Sequence, residues 1–188
     1  MDNAKIKQLQ DQIWTTRISR VNAEKRMVNK NEFIQGINVY YSCVTIIFSI
    51  LSLINNDNKL GLITTFMTIA VLIAVLYLNS LRYTEIAREY RKNYTQLHQL
   101  ELQLSNDEIS KQQIEEIKNK YCELLDSACN HITFDFYCTV AGSNGEYKNK
   151  YWDEIKHKYR WGCLWRFSIK IIVTVLPIAI YVVLRVIS

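Results

Sequence analysis

The residues best placed for chemistry in this 188-residue chain gather around His131, with Cys129, Asn130, Asp135 and Cys138 beside it and Cys122 a little upstream. A zinc site needs two or more Cys/His pairs at short spacing, and Cys122, Cys129, His131 and Cys138 do not provide them. A Cys/His nucleophile needs an oxyanion hole, and nothing in the sequence supplies one or identifies a substrate. Asn130 and His131 read instead as the cap of a helix end, with Asp135 as a partner for His131. The chain also lacks a phosphate loop, a Gly-rich dinucleotide motif and an RNA-binding aromatic signature. The sequence therefore predicts a non-enzymatic protein without metal or cofactor, triggered from outside itself.

A second set of residues is polar where its surroundings are not. Gln35, Asn38, Ser42, Thr45, Ser49, Ser52 and Asn56 recur at alternating steps of three and four, which places them on one seam of an α-helix. Such a seam of hydroxyls and amides is expected where water touches a helix, or where helices pack closely and exchange hydrogen bonds. Both readings stand, and both hold in an oligomer whose seam faces neighbours when closed and water when open. The seam carries no charge, so a pore lined by it would select weakly among ions.

The elements that carry these residues follow from the distribution of charge. Residues 1–32 hold seven Lys/Arg and four Asp/Glu, whereas Phe33 to Asn56 and Leu60 to Leu81 hold none, and residues 82–166 hold thirteen of each sign. This pattern excludes an ordinary soluble globule, a disordered chain and a collagen-like chain. Ile37 to Ile54 and Leu62 to Leu81 reach about 27 and about 30 Å as helices, enough for a hydrocarbon core about 30 Å thick. The turn formers from Asn55 to Gly61 join them into a hairpin. Arg17, Arg20, Lys25, Arg26 and Lys30 precede the first span, Arg82, Arg88, Arg91 and Lys92 follow the second, and Lys59 lies on the far side, so both ends of the hairpin face the cytoplasm. The N-terminal cations read as ligands of anionic lipid. With a long charged stretch ahead of the first apolar run, and no small-residue cleavage pattern after it, a cleaved signal peptide is not expected. On the second span Ala70 and Ala74 form a small-xxx-small pair suited to hairpin packing.

A third apolar stretch, Phe167 to Ile187, has only Ile171 to Leu184 free of charge. It spans if Lys170 and Arg185 snorkel to opposite interfaces, with Trp161 and Trp165 in an aromatic belt, and otherwise lies on the inner leaflet. Pro177 would kink either version.

The remaining segments read as helix. Tyr83, Ile86, Tyr90, Tyr94, Leu97, Leu100 and Leu104 mark an apolar stripe that continues the second span into the cytoplasm. Ser105-Asn106-Asp107-Glu108 has capping-box spacing and should start a helix bearing Ile114, Ile117, Tyr121, Leu124, Leu125 and Ala128, antiparallel to the first. Trp14, Ile18, Val21 and Val28 share one side of an N-terminal helix. Ile132 to Val140 alternates with period two, but no other run offers a partner strand, so a helical turn followed by an extended arm is expected. Ala141 to Gly145 is a loop before a last cytoplasmic helix from about Glu146 to Tyr159. The five cysteines, an odd number and mostly cytoplasmic, are expected to be free thiols.

The chain thus divides into an N-terminal cytoplasmic amphipathic helix (1–35), a transmembrane hairpin (36–81), a cytoplasmic helical region (82–166) and a third transmembrane or interfacial helix (167–188). The fold class is an all-α membrane protein with a cytoplasmic helical bundle.

Trp14 and Arg17, the run Arg20-Val21-Asn22-Ala23-Glu24-Lys25-Arg26, the hairpin, the Tyr-rich helix, and Tyr121 to Leu125 with Asn130-His131 and Asp135 together resemble the SLATT family, the SMODS and SLOG-associating two-transmembrane effectors. The resemblance covers residues 10–140, and the third apolar segment departs from the two-span label. It implies a bacterial effector of nucleotide-signalled conflict and anti-phage systems, acting by abortive infection, with one branch beside reverse transcriptases. It also implies that Arg20, Arg26, Asn130, His131 and Asp135 are structural or interaction residues. The implied partners are the lipid bilayer, further copies of the chain, and a nucleotidyltransferase, nucleotide sensor or reverse transcriptase; direct nucleic-acid binding is not expected.

Two functions follow. One is an effector that oligomerises and forms a pore in, or disrupts, the bacterial inner membrane when a partner triggers it, with Asn38, Ser42, Thr45, Ser49 and Ser52 as the pore-lining or packing seam. The other is an adaptor that docks a partner enzyme at that membrane and forms no pore.

Overall fold

The structure is a computed structural model that describes residues 3–105, 109–127 and 130–187, with helices as its regular structure and no strand among them. In chain order the helices are α1 (Asn3–Asn55), α2 (Asn58–Ser80), α3 (Tyr83–Leu104), α4 (Lys111–Asp126), α5 (Thr133–Gly142) and α6 (Gly145–Ile187). They form two compact units. One holds residues up to 28 and 84–162, the other 29–83 and 163 onward.

In the first unit the apolar stripes of α3 and α4 meet. Leu97, Leu100 and Leu104 pack with Ile117, Tyr121 and Leu124, and Ile13 of α1 closes the cluster. Burying such side chains stabilises by about 1.5–3 kcal/mol each. Helix α4 starts later than the Ser105 to Glu108 motif predicts. Its N-cap is Ser110, which accepts from the Gln113 N–H while the Gln113 side chain accepts from the Ser110 N–H. Asn106, Asp107 and Glu108 lie outside the described residues, as do Ala128 and Cys129.

Two further expectations are corrected in this region. The period-two passage is helix α5, because Asp135, Thr139 and Val140 are its buried residues and their spacing is helical. Its alternating aromatics contact α6 at different points: Phe134 stacks on Tyr159 at 5.9 Å, and Phe136 meets Tyr151 edge-on at 5.8 Å. A Cβ at Gly162 would lie 2.4 Å from the Phe134 ring, so glycine there makes room for it. The second span also does not run straight on. α2 ends at Ser80, and Arg82 takes a left-handed conformation (φ 49°) before α3 begins.

The buried face of α1 in this unit differs from the apolar side read in the sequence. Trp14, Ile18, Val21 and Val28 are half-buried, whereas Ile13, Thr16, Ser19, Arg20, Ala23 and Glu24 are buried.

In the second unit α1, α2 and α6 each carry a stretch long and apolar enough to cross a membrane. The hairpin turn is fixed locally. Asn56 is left-handed (φ 50°), Asp57 caps α2 by accepting from the Leu60 N–H at 3.0 Å, and the Ser52 hydroxyl donates to the Asp57 carbonyl at 2.8 Å. A Cβ on Gly61 would sit 2.9 Å from the Ser52 hydroxyl, so glycine permits the close approach of the two helices here. Ala70 and Ala74 are exposed rather than sealed in the hairpin.

Helix α6 runs parallel to α1. Going up both helices together, Lys170 lies over the Phe33 ring at 5.0 Å, the Tyr41 hydroxyl donates to the Val173 carbonyl at 2.7 Å, and Phe48 stacks on Tyr181 at 4.9 Å. Helix geometry continues through Pro177, without a break between the expected cytoplasmic helix and the third apolar stretch. Proline has no N–H, so the Val173 carbonyl, four residues earlier, loses its intrahelical donor. The Tyr41 hydroxyl takes that place. The side chain of Arg185 lies outside the described residues.

Candidate functional site

The first unit encloses a polar centre built from α1, α3, α4 and α5. Arg20 is fully buried, and its guanidinium donates to the side-chain oxygen of Asn93, to the Leu124 carbonyl at 2.9 Å and to the Leu125 carbonyl at 3.3 Å. Those carbonyls belong to the last turn of α4, where helices leave acceptors unpaired and the dipole is negative, so a cation from α1 completes the end of α4. Asn93 donates to the same Leu124 carbonyl at 2.9 Å. Burial lowers the Arg20 pKa, against the pull of Tyr121 and Tyr90.

Arg26 reaches α5. Its Nε and Nη2 donate to the two oxygens of Asp135 at 2.8 and 2.9 Å, with the carboxylate 1% exposed and the guanidinium 9% exposed. Burial lowers the Arg26 pKa, and the Asp135 carboxylate more than reverses this, leaving it raised. Asp135 also accepts from the Ile132 N–H at 3.1 Å, which secures the start of α5. Asn22 and Ser19 bind the Thr139 hydroxyl at 3.0 and 3.1 Å. At the edge, buried Glu24 accepts from exposed Arg91 at 2.7 Å.

Of the residues singled out in the sequence, Arg20, Arg26 and Asp135 come together in this centre. Asn130 contributes its carbonyl, which accepts from Tyr90 at 3.1 Å. Capping by Asn130 and His131 is replaced, because Ile132 is the N-cap and Asp135 reaches back to it. The Asp135 carboxylate is held by Arg26, and His131 Nδ1 is buried with no hydrogen-bond partner. Burial lowers the His131 pKa, with Asp135 opposing and Arg20 adding to the effect. Two of the cations read as lipid ligands, Arg20 and Arg26, are thus turned into the protein. Asn93 was missed. Its signal was its position on the α3 stripe, three residues after Tyr90 and four before Leu97, where an apolar side chain belongs.

Chemically, this is a hydrogen-bonded polar arrangement that clamps α1, α4 and α5, with Arg20 Nε and His131 Nδ1 as its buried atoms without a hydrogen-bond partner. No group of three or more His, Cys, Asp or Glu able to hold a metal occurs among the described residues. Cys43, Cys122, Cys138 and Cys163 are free thiols.

In the second unit the seam of α1 is divided. Thr45 is buried and Ser52 half-buried at the hairpin tip, Asn38 is half-buried, and Ser42 and Ser49 are exposed. The Ser42 hydroxyl donates to the Asn38 carbonyl at 2.8 Å and Thr45 to the Ser42 carbonyl at 2.9 Å, so both are satisfied within α1. Around them Ile46, Ile47, Ile50, Phe66, Leu76 and Ile172 are half or more exposed, the surface of a protein solvated by lipid.

Three helices long and apolar enough to cross a membrane, with no strand among the described residues, define a helical membrane protein. It belongs to the SMODS and SLOG-associating 2TM effector domain family 5, whose family model matches residues 2–183. The match extends past the region of resemblance and takes in the third apolar helix. The family is one of membrane effectors of conflict systems that associate with SMODS and SLOG proteins. Comparison with curated proteins and with solved structures found no match.

Proposed function

We propose that the protein is a non-enzymatic effector that assembles in the bacterial inner membrane and forms a pore when a partner of the conflict system triggers it. The observation that carries this reading is the outward pair Ser42 and Ser49, set among the exposed Ile46, Ile47 and Ile50 of α1. Hydroxyls in that position favour contact with a second copy or with water over contact with acyl chains. Three helices do not enclose an aqueous path by themselves, so the pore requires an oligomer. The parallel course of α1 and α6 supports three crossings, with the N-terminus and residues 84–162 in the cytoplasm, consistent with Arg82, Arg88, Arg91 and Lys92 after the second span.

The test is the conductance of the purified chain in a planar bilayer, with and without its partner, beside the Ser42→Leu/Ser49→Leu variant. Discrete, weakly ion-selective currents in the native chain that vanish in the variant are expected. Partner recruitment to membranes with no current from the triggered native chain would replace the pore with the adaptor reading.

A further inference from the structure

Within the membrane-type unit α1, α2 and α6 leave a cavity of about 370 Å³. Ile37 and Tyr41 of α1, Ala70 and Ala74 of α2, and Val173 and Leu176 of α6 are among its walls. Asn38 and Tyr41 are the polar side chains of the lining, and the Tyr41 hydroxyl is engaged by the Val173 carbonyl. The volume is near the lower end of ligand pockets, about 300–1,000 Å³. Along α2 the lining runs from Met67 to Leu78, roughly 16 Å at about 1.5 Å per residue. That length matches one leaflet of a hydrocarbon core about 30 Å thick.

One end of this cavity is cationic. Lys30 stands one turn before Ile34 on α1, Arg82 one turn after Leu78 of α2, and Lys170 three residues before Val173 on α6. Because α6 is parallel to α1 and α2 returns antiparallel to α1 after the hairpin, all three cations fall at the same end. Each is exposed. The Lys30 and Lys170 ammonium groups lie over the rings of Tyr83 and Phe33 at 5.4 and 5.0 Å, which holds both at this level. Arg166 adds a fourth cation one turn before Lys170 on α6, and the acidic residues nearest in sequence are Glu32, two residues after Lys30, and Glu85, three residues after Arg82.

We infer that this cavity is a binding site for an anionic phospholipid, one acyl chain filling the space between the helices and the phosphate held by Lys30, Arg82 and Lys170. The small residues Ala70 and Ala74 keep the groove open. The inference rests on membrane insertion of all three helices and is independent of pore formation.

The experiment is native mass spectrometry of the full-length protein in detergent, titrated with phosphatidylglycerol and phosphatidylcholine of identical acyl chains. One phosphatidylglycerol per chain is expected, retained about thirtyfold more tightly than phosphatidylcholine. Lys30→Gln/Lys170→Gln, which leaves Arg82 as the remaining cation, should remove most of the preference for phosphatidylglycerol, while Lys30→Arg/Lys170→Arg keeps it, which separates charge from misfolding. Ala70→Leu/Ala74→Leu should reduce retention of both lipids more than tenfold. Equal retention of the two lipids by the native chain would overturn the site. So would unchanged retention in the Leu variant, or displacement by glycerol phosphate alone, which marks a free-phosphate site. A Leu variant that loses self-association but keeps its lipid would assign the cavity to a second copy. The readout is a mass, so a failed conductance experiment leaves it unaffected.

Discussion

Arg26 holds both oxygens of Asp135, Nε to Oδ1 at 2.8 Å and Nη2 to Oδ2 at 2.9 Å, and so fixes α1 to the first turn of α5. Neutralising one partner leaves the other buried and charged, which costs about 3–5 kcal/mol, whereas replacing both by apolar groups is often neutral. Asp135→Asn should therefore lower the urea midpoint of the purified protein strongly, and Arg26→Met/Asp135→Leu should recover most of the loss. A double variant as unstable as the single one would show that the pair has a role beyond mutual compensation.

The Tyr41 hydroxyl makes a different kind of repair. Tyr41→Phe leaves the Val173 carbonyl without a donor, a penalty of about 1–3 kcal/mol for a buried acceptor. Pro177→Ala restores an N–H to that carbonyl within α6. The Tyr41→Phe change should then cost much less in the Pro177→Ala background than in the native chain. Additive effects in this double-mutant cycle, read from unfolding in detergent, would separate the two residues.

His131 gives the first unit a pH dependence. Its pKa is lowered in the folded chain, so below about pH 6.5, the ordinary histidine value, the unfolded chain binds more protons. The stability from the neutral imidazole is complete above that pH and declines as the pH falls. The thermal midpoint should drop between about pH 7.5 and pH 5.5, and His131→Gln should drop less over the same interval. Equal slopes would place the titration elsewhere.

The divided seam predicts a labelling pattern. In a cysteine-free background, Ser42→Cys and Ser49→Cys should react with a membrane-impermeant thiol reagent only in the conducting state. Ile47→Cys and Ile54→Cys, exposed on the opposite side of α1, should stay unreactive throughout. Equal labelling of all four positions would remove the seam from any water path.

The membrane helices were legible because charge is absent from Phe33 to Asn56 and from Leu60 to Leu81, and length alone then sets the span. The α3 and α4 stripes were legible for a similar reason, since Leu97 and Leu100 repeat with helical period beside Ile117 and Tyr121. The polar clamp was only half visible. Periodicity finds apolar faces, and here α1 buries Thr16, Ser19, Arg20 and Glu24 while Trp14 and Ile18 stay half-buried. A polar residue is buried when a partner satisfies it, and the partners Thr139, Asn93 and the Leu124 carbonyl lie far along the chain. Helix α5 was misread for a related reason. Its aromatics serve contacts with Tyr151 and Tyr159, and those contacts imitate the alternation of a strand.

Pro177 also orders events during synthesis. A helix entering the bilayer alone would carry the Val173 carbonyl into hydrocarbon without a donor, which costs several kcal/mol. Tyr41, which supplies the donor, leaves the ribosome more than a hundred residues earlier. In the proposed three-span topology, integration of α6 would thereby favour prior arrival of α1, which is the order that translation supplies. A permuted gene encoding α6 ahead of α1 would deliver to the insertion machinery a segment that the bilayer resists until its missing hydroxyl is made.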